Sequence, residues 1–374
     1  MPIDDRSSVF RLRGILLLVG VLLLSCLCAT PASAGRLDVR SAILLDARSG
    51  KVLYAQNPDV QIPPASLTKV LSMMVALDHI RAGRAGLTDW VRVSRNAANQ
   101  SGSKMFIRKG ERLTLDRLLM GMAVSSGNDA SMAVAEFVGG SSKKFVQHMN
   151  AKAAQLGMTN STFKNPNGLP AKGQFTTARD MGRLSYQYLK THPRALRYHR
   201  MQSLKHNGQV TTNKNPLLGS CPGADGLKTG WIVASGYNII STVRRGNTRL
   251  IAVVLGAQNS SVRSSEIHKL VEAGFESRAR GVTVASVLRS NRHYASAHTQ
   301  QTSVASKEKS RVSRKHTSRR LQASSNLKSR DKQVRTSKKQ YRKKITAANR
   351  KSKTSVSSRK NSSRKTASRS AKRS

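Results

Sequence analysis

Apolar residues along this chain follow two different periods, and the change between them divides it. Leu67, Val70, Leu71, Met74, Val75 and Leu77 recur at helical spacing up to Gly83, an apolar face bound for a core. Ahead of them, Ile62-Pro63-Pro64-Ala65 resists the α conformation, because the residue before each proline is pushed out of that region. Ser66 therefore opens the helix. A second helical run starts at Thr114, a capping residue, with Leu115, Leu118, Leu119 and Met122. After a break at Ser126-Gly127-Asn128, a third continues with Ala130, Met132, Ala133, Val134 and Phe137. Residues 226–231, 237–243 and 250–255 read instead as successive antiparallel strands, with a hairpin turn at Arg245-Gly246-Asn247. Ile267, Leu270, Val271 and Phe275 return to a helix. The pattern predicts an α/β fold in which an antiparallel sheet is flanked by helices and a helical subdomain lies between the first helix and the strands.

The two ends depart from this pattern. Arg6, Arg11 and Arg13 precede an apolar stretch from Gly14 to Cys28 and then Ala32-Ser33-Ala34, the order of a secretory signal cut after Ala34. Leu23-Leu24-Ser25-Cys26 offers a lipoprotein-type alternative. Of the three cysteines, Cys26, Cys28 and Cys221, only the last survives such cleavage, so no intrachain disulfide is expected. From about Val282 apolar periodicity fades into Ser, Lys, Arg and Thr. Residues 301–374 hold 26 lysines and arginines against Glu308 and Asp331, a net +24 and half of the chain's +48. Such a segment buries too little apolar surface to offset its ordering entropy and is expected to be disordered. The expected organisation is a signal over 1–34, one folded domain over 35–282 and a disordered basic tail over 283–374.

A basic tail in a cytosolic protein would suggest nucleic acid, through release of counterions from phosphates. Residues 301–374 have only Tyr341 to stack on bases, and export removes the protein from the chromosome. No nucleic-acid partner is expected. Anionic surfaces outside the cytoplasm, such as acidic lipid head groups, lipopolysaccharide phosphates or wall polymers, suit the tail better.

Three short motifs carry candidate chemistry: Ser66-Leu67-Thr68-Lys69, Ser126-Gly127-Asn128 and Lys228-Thr229-Gly230. The first two have rival copies, among them Ser101-Gly102-Ser103-Lys104 and Ser94-Arg95-Asn96, whereas Lys-Thr-Gly occurs once. Context selects the copies. At a helix start, the free backbone N–H groups near Ser66 favour a developing oxyanion. Lys69 lies one turn on, on the same face. Buried beside other cations, its ammonium loses its proton more readily and can accept that of Ser66. Ser126 reads as a proton relay and Asn128 as a group that orients a substrate amide, with Gly127 taking a backbone angle other residues resist. Lys228 and Thr229 offer a charge and a hydroxyl to a carboxylate, while Gly230 lets a substrate backbone lie against the strand edge.

From about Arg40 to Arg280 the chain resembles the D-alanyl-D-alanine carboxypeptidases of the low-molecular-mass penicillin-binding protein family. Besides the three motifs, Asn57-Pro58, Asn165-Pro166-Asn167-Gly168-Leu169 and Thr176-Thr177-Ala178-Arg179-Asp180-Met181 carry the resemblance. It implies a β-lactamase/transpeptidase-like fold and a Ser66 acylated by the penultimate D-Ala carbonyl of a peptidoglycan stem peptide. Terminal D-Ala leaves, and water then deacylates the enzyme. It implies an oxyanion hole from the backbone N–H groups of Ser66 and Trp231, β-lactam antibiotics as inhibitors, no cofactor, and a periplasmic or wall-associated location. Arg263, placed ahead of the last helix, matches an arginine that the family carries near the substrate carboxylate. Trp231-Ile232 departs from relatives with smaller or polar residues there, so the indole either narrows the leaving-group subsite or packs over the hairpin.

A class A β-lactamase shares the three motifs but deacylates through a loop glutamate. Between Asn128 and Lys228 the sequence holds only Glu136, inside the helix after the second motif, so fast β-lactam hydrolysis is not expected. A D,D-endopeptidase remains an alternative, since the same catalytic set serves both, and so does a cationic envelope-binding protein whose catalytic domain is vestigial. Neither His-Glu-x-x-His nor paired cysteines occur, so no metal is expected.

Overall fold

The structure, a computed structural model, describes residues 35–291; the expected signal over 1–34 and the tail beyond 291 lie outside the described residues. Strands β1 (Ser41–Asp46) and β2 (Val52–Gln56) open the chain, and a short 3-10 turn, Ala65–Leu67, runs into helix α1 (Thr68–Arg81). A ribbon of β3 (Trp90–Arg92) and β4 (Arg112–Thr114) leads into α2 (Leu115–Ala123), α3 (Asn128–Gly139), α4 (Ser142–Gln155) and α5 (Ala178–Thr191). A second ribbon, β5 (Ser203–His206) with β6 (Gln209–Thr212), precedes the long strands β7 (Ala224–Ile232), β8 (Gly236–Arg245) and β9 (Thr248–Ala257). Helix α6 (Ser260–Arg280) and a final short helix, α7 over residues 284–291, complete the described residues.

The main sheet runs β2-β1-β9-β8-β7, with every neighbouring pair antiparallel. Both faces are covered, which is why β1 reads as six buried residues rather than as an alternation. Ile43 and Leu45 of β1, with Ile251, Val253 and Leu255 of β9, face the helical layer that holds α1. Ala42, Leu44, Leu250, Ala252 and Val254 alternate onto the opposite face, against Ile267, Leu270 and Val271 of α6. Each of the leucines, isoleucines and valines among them contributes about 1.5–3 kcal/mol of transfer free energy when fully buried. Thr114 caps α2 by accepting from the Arg117 N–H, and Asn259 caps α6 by accepting from the Val262 N–H. The β8–β9 hairpin turns at Gly246-Asn247 with Gly246 at φ +53°, as the turn residues predict.

Folded structure continues past the expected boundary at 282. Val284, Val287 and Leu288 of α7 are buried in the core that contains Leu37 and α6. Their spacing makes one narrow apolar face, too short to register as a period amid serine and arginine. Arg263 also lies within the first turn of α6 rather than ahead of it. No helix among the described residues is long and apolar enough to cross a membrane.

Candidate active site

Ser66 sits in the 3-10 turn at the head of α1, half-buried, with Lys69 in the first turn of the helix. The Lys69 ammonium is fully buried and donates to three oxygens: Ser66 Oγ at 3.1 Å, Asn128 Oδ1 at 2.7 Å and the Asn167 carbonyl at 2.6 Å. Burial, and then the positive charges of Lys228 and Lys214, push its pKa well below the ordinary lysine range, against the opposing pull of Asp129. A lysine in that state beside a serine hydroxyl can take the hydroxyl's proton.

The Asn167 carbonyl is held in place from below. Ser72 of α1 and Ser131 of α3 both donate to the preceding Pro166 carbonyl, at 2.6 and 2.7 Å. Gly168 follows at φ +83°, and a Cβ there would lie 1.8 Å from the Ala65 carbonyl oxygen. Only glycine lets this segment press against the turn that carries Ser66.

Ser126 and Asn128 come from the α2–α3 connection. The left-handed residue is Ser126, at φ +56°; Gly127 has φ −56° and needs no special freedom. This corrects the expectation that Gly127 supplies the unusual angle. Gly127 is required for closeness, since a Cβ there would stand 2.8 Å from Asp129 Oδ1 and 3.1 Å from the Met105 nitrogen. The Asn128 side chain is engaged at both ends: its oxygen faces Lys69, and its Nδ2 donates to the Ser101 carbonyl at 2.6 Å. Its oxygen holds Lys69, and its Nδ2 carries a second hydrogen beyond the one given to Ser101. Beside it, buried Asp129 accepts from the backbone N–H groups of Met105, Phe106 and Ile107, which fixes the segment walling the cleft.

The third motif lies on β7, the edge of the main sheet. A Cβ on Gly230 would sit 3.0 Å from the Ser66 nitrogen, so the bare strand edge meets the serine turn directly. Lys228 is buried and donates to the Thr229 carbonyl at 3.0 Å. Burial, with Lys214 and Arg263 nearby, lowers its pKa to about 7. Arg263 reaches the same space from α6, its Nε buried without a hydrogen-bond partner among the described residues. Ser66, Ser126, Thr229, Gly230, Lys214 and Arg263 line one cavity of about 380 Å³, with Trp231 and Tyr237 also in its wall. Trp231 is 53% exposed while its ring stands 5.8 Å from that of Tyr237, so it both packs on the hairpin and edges the opening.

Ser66, Ser126, Thr229, Gly230, Trp231 and Arg263 thus share one cavity, with Lys69, Asn128 and Lys228 buried behind it. Sequence reasoning missed Lys214, which enters from a loop with no periodic or motif signal. It also missed the Asn167 carbonyl; the Asn165–Leu169 segment stood out only through the family resemblance. Among the described residues no carboxylate lines the cavity, and Glu136 instead accepts from Asn96 at 2.7 Å. The grouping of metal-binding residue types at Cys221, His268 and Glu272 lies elsewhere, and the Arg245 guanidinium occupies it by pairing with both Glu272 oxygens.

A sequence-family profile described as D-alanyl-D-alanine carboxypeptidase matches residues 28–259. The chain belongs to that family. Among curated members, it is 39% identical over 249 residues to the D-alanyl-D-alanine carboxypeptidase DacC of Escherichia coli, covering 65% of this chain. It is 37% identical over 244 residues to DacF of Bacillus subtilis, covering 64%. The chain spans 62% of the length of each of these two relatives. Penicillin binding protein 5 of Haemophilus influenzae superposes with a TM-score of 0.63 at 32% identity, over 66% of this chain and 73% of that one. A penicillin-binding protein of Listeria monocytogenes, solved in an ampicillin-bound form, superposes with a TM-score of 0.59 at 30% identity, over 64% of this chain and 98% of that one. The family's fold is the expected antiparallel sheet flanked by helices.

Proposed function

We propose that this protein is a serine-type D-alanyl-D-alanine carboxypeptidase that removes the terminal D-Ala from peptidoglycan stem pentapeptides. The observation that carries the reading is the 3.1 Å contact between Lys69 Nζ and Ser66 Oγ, at the end of a cavity floored by a bare strand edge. Lys69 takes the hydroxyl proton as Ser66 Oγ attacks the penultimate D-Ala carbonyl. The backbone N–H groups of Ser66 and Trp231 hold the oxyanion. Collapse of the intermediate breaks the peptide bond, and a proton delivered through Ser126 lets D-Ala leave as a free amine. Water then attacks the ester and restores Ser66. Lys228, Thr229, Lys214 and Arg263 receive the terminal carboxylate; Asn128 and the Asn167 carbonyl keep Lys69 aimed at Ser66.

A β-lactam enters the same sequence but has no leaving group that departs. Because no carboxylate among the described residues lines the cavity to activate water, its acyl-enzyme persists and the antibiotic acts as an inhibitor. Mass spectrometry after incubation with a penicillin is expected to show one adduct, on a Ser66 peptide, absent in Ser66→Ala. Purified pentapeptide is expected to yield free D-Ala. An adduct elsewhere, or rapid multiple-turnover nitrocefin hydrolysis, overturns the reading; cross-linked dimers cut without D-Ala release would point to an endopeptidase.

The protein acts outside the cytoplasmic membrane, as its substrate and the signal over 1–34 require. Its basic tail tethers the folded domain to an anionic envelope surface. The support is a charge of +24 over residues 301–374, spread along a sequence without an apolar face to insert.

A further inference from the structure

A short helix, Leu196–His199, lies between α5 and the β5–β6 ribbon and belongs to none of the three motifs. Its last residue, His199, is fully buried and engaged at both ring nitrogens. Nδ1 lies 3.1 Å from the Leu227 carbonyl of β7, and Nε2 lies 2.9 Å from the Tyr188 hydroxyl of α5. A carbonyl only accepts, so Nδ1 carries the hydrogen and Nε2 accepts from Tyr188. Burial lowers the pKa of the ring to about 4, with the Leu227 bond opposing it and the Lys228 charge adding to it. This neutral tautomer therefore holds near neutral pH.

The same segment grips the opposite wall of the cleft. Tyr198 donates its hydroxyl to Asp116 Oδ1 at 2.6 Å, and Arg197 pairs with the same carboxylate, in the first turn of α2. That helix ends at Ala123 and leads directly into Ser126. Thr211 of β6 meets the Ser125 hydroxyl, and Asn213 donates to the His199 carbonyl at 3.0 Å, one residue before Lys214 enters the cavity. On the other side stands β7, an edge strand, whose main-chain groups turn to one side at every second residue. The Leu227 carbonyl accepts from His199 and the Thr229 carbonyl from Lys228, so both turn to the free edge, and the Trp231 N–H follows them. His199 thus joins the wall that carries Ser126 to the edge that carries Lys228, Thr229 and that N–H. We propose that His199 is a positioning residue: its bond to the Leu227 carbonyl sets the gap between Ser126 and the β7 edge, and with it the aim of the oxyanion donors. This inference rests on the carboxypeptidase reading above and extends it to a residue outside the cavity.

Substitutions of His199 separate its two nitrogens. His199→Asn keeps an N–H donor where Nδ1 stands, His199→Gln reaches only the place of Nε2, and His199→Leu offers neither. The acylation rate constant of the full chain with a fluorescent penicillin is expected to fall about 10–10²-fold in His199→Gln and His199→Leu, the loss that slight misplacement of a reacting group brings, and to stay within about threefold in His199→Asn. Affinity for the unreacted drug should change little in all three. Tyr188→Phe strands a buried ring nitrogen and lowers the unfolding midpoint, yet it keeps the Leu227 bond and should acylate as the natural protein does. Unchanged acylation in His199→Gln, or an equal loss in His199→Asn, overturns the proposal. So does an equal loss in Tyr188→Phe, which would make the effect one of stability alone. If the natural protein is not acylated, the carboxypeptidase reading fails, and the Lys228 titration followed by NMR decides the joint. His199→Gln opens the gap to water and moves that titration upward from about 7, while His199→Asn leaves it in place. An unmoved titration in His199→Gln refutes the positioning role.

Discussion

Replacing Lys228 by methionine should make the protein more stable near neutral pH while it loses penicillin binding. Lys228 is buried, and its pKa falls from 10.5 to about 7, chiefly by burial and then by Lys214 and Arg263. Between those two values the unfolded chain holds a proton that the folded site has released, so stability rises as pH rises through that window. Integrated from pH 7 to pH 9, this one group contributes about 2 kcal/mol of stability. For a domain of this size that is a rise in Tm of roughly 4–8 °C. Lys228→Met lacks the group and should lose that part of the rise. It also removes a charge that lowers the Lys69 pKa, which flattens the profile further. The assay is calorimetric unfolding at matched ionic strength from pH 7 to pH 9, with fluorescent-penicillin labelling alongside. Parallel Tm profiles for the two proteins would refute the depressed pKa; undiminished labelling would refute the carboxylate-binding role.

Lys69→Arg keeps the charge but cannot act as a base, so the acylation rate constant for a fluorescent penicillin should fall by about 10²–10⁴; a loss under tenfold would make Lys69 merely structural. Asp129→Ala strands the N–H groups of Met105, Phe106 and Ile107 and should cost about 3 kcal/mol in urea unfolding, an unchanged midpoint contradicting the anchoring described. A chain ending at residue 291 should release D-Ala from a soluble peptide as the full chain does, yet fail to sediment with anionic vesicles. Full-chain sedimentation should fall as salt rises past about 0.15 M, and equal sedimentation of both proteins would remove the tether.

What the sequence revealed depended on the range over which each residue acts. Ser66 and Lys69 were legible because one helical turn both spaces them and buries the second. Lys228-Thr229-Gly230 was legible because it is unique and sits in a strand pattern. Lys214 was not, since it meets the other cations only through tertiary folding, in a chain with 66 lysines and arginines. Asn167 acts through its main-chain carbonyl, which leaves no side-chain signature. At Ser126-Gly127 the turn rule pointed to glycine for the left-handed angle. The fold assigns that angle to serine and uses the glycine to let Met105 approach. Helix α7 escaped notice because three apolar residues make a face only once α6 and Leu37 lie beside them.

The three oxygens around the Lys69 nitrogen differ in one respect that sets a direction. Two of them, Asn128 Oδ1 and the Asn167 carbonyl, are pure acceptors; the third, Ser66 Oγ, is a hydroxyl that can accept or donate. A charged ammonium has three hydrogens and satisfies all three. Once it gives one up, it keeps two hydrogens and gains a lone pair, and only the hydroxyl can turn round to meet that lone pair. Loss of the proton thus swings the Ser66 O–H bond onto Lys69 without any heavy atom moving. The amide and the carbonyl work as a ratchet: they claim the remaining hydrogens and leave the lone pair nowhere to point but at the serine.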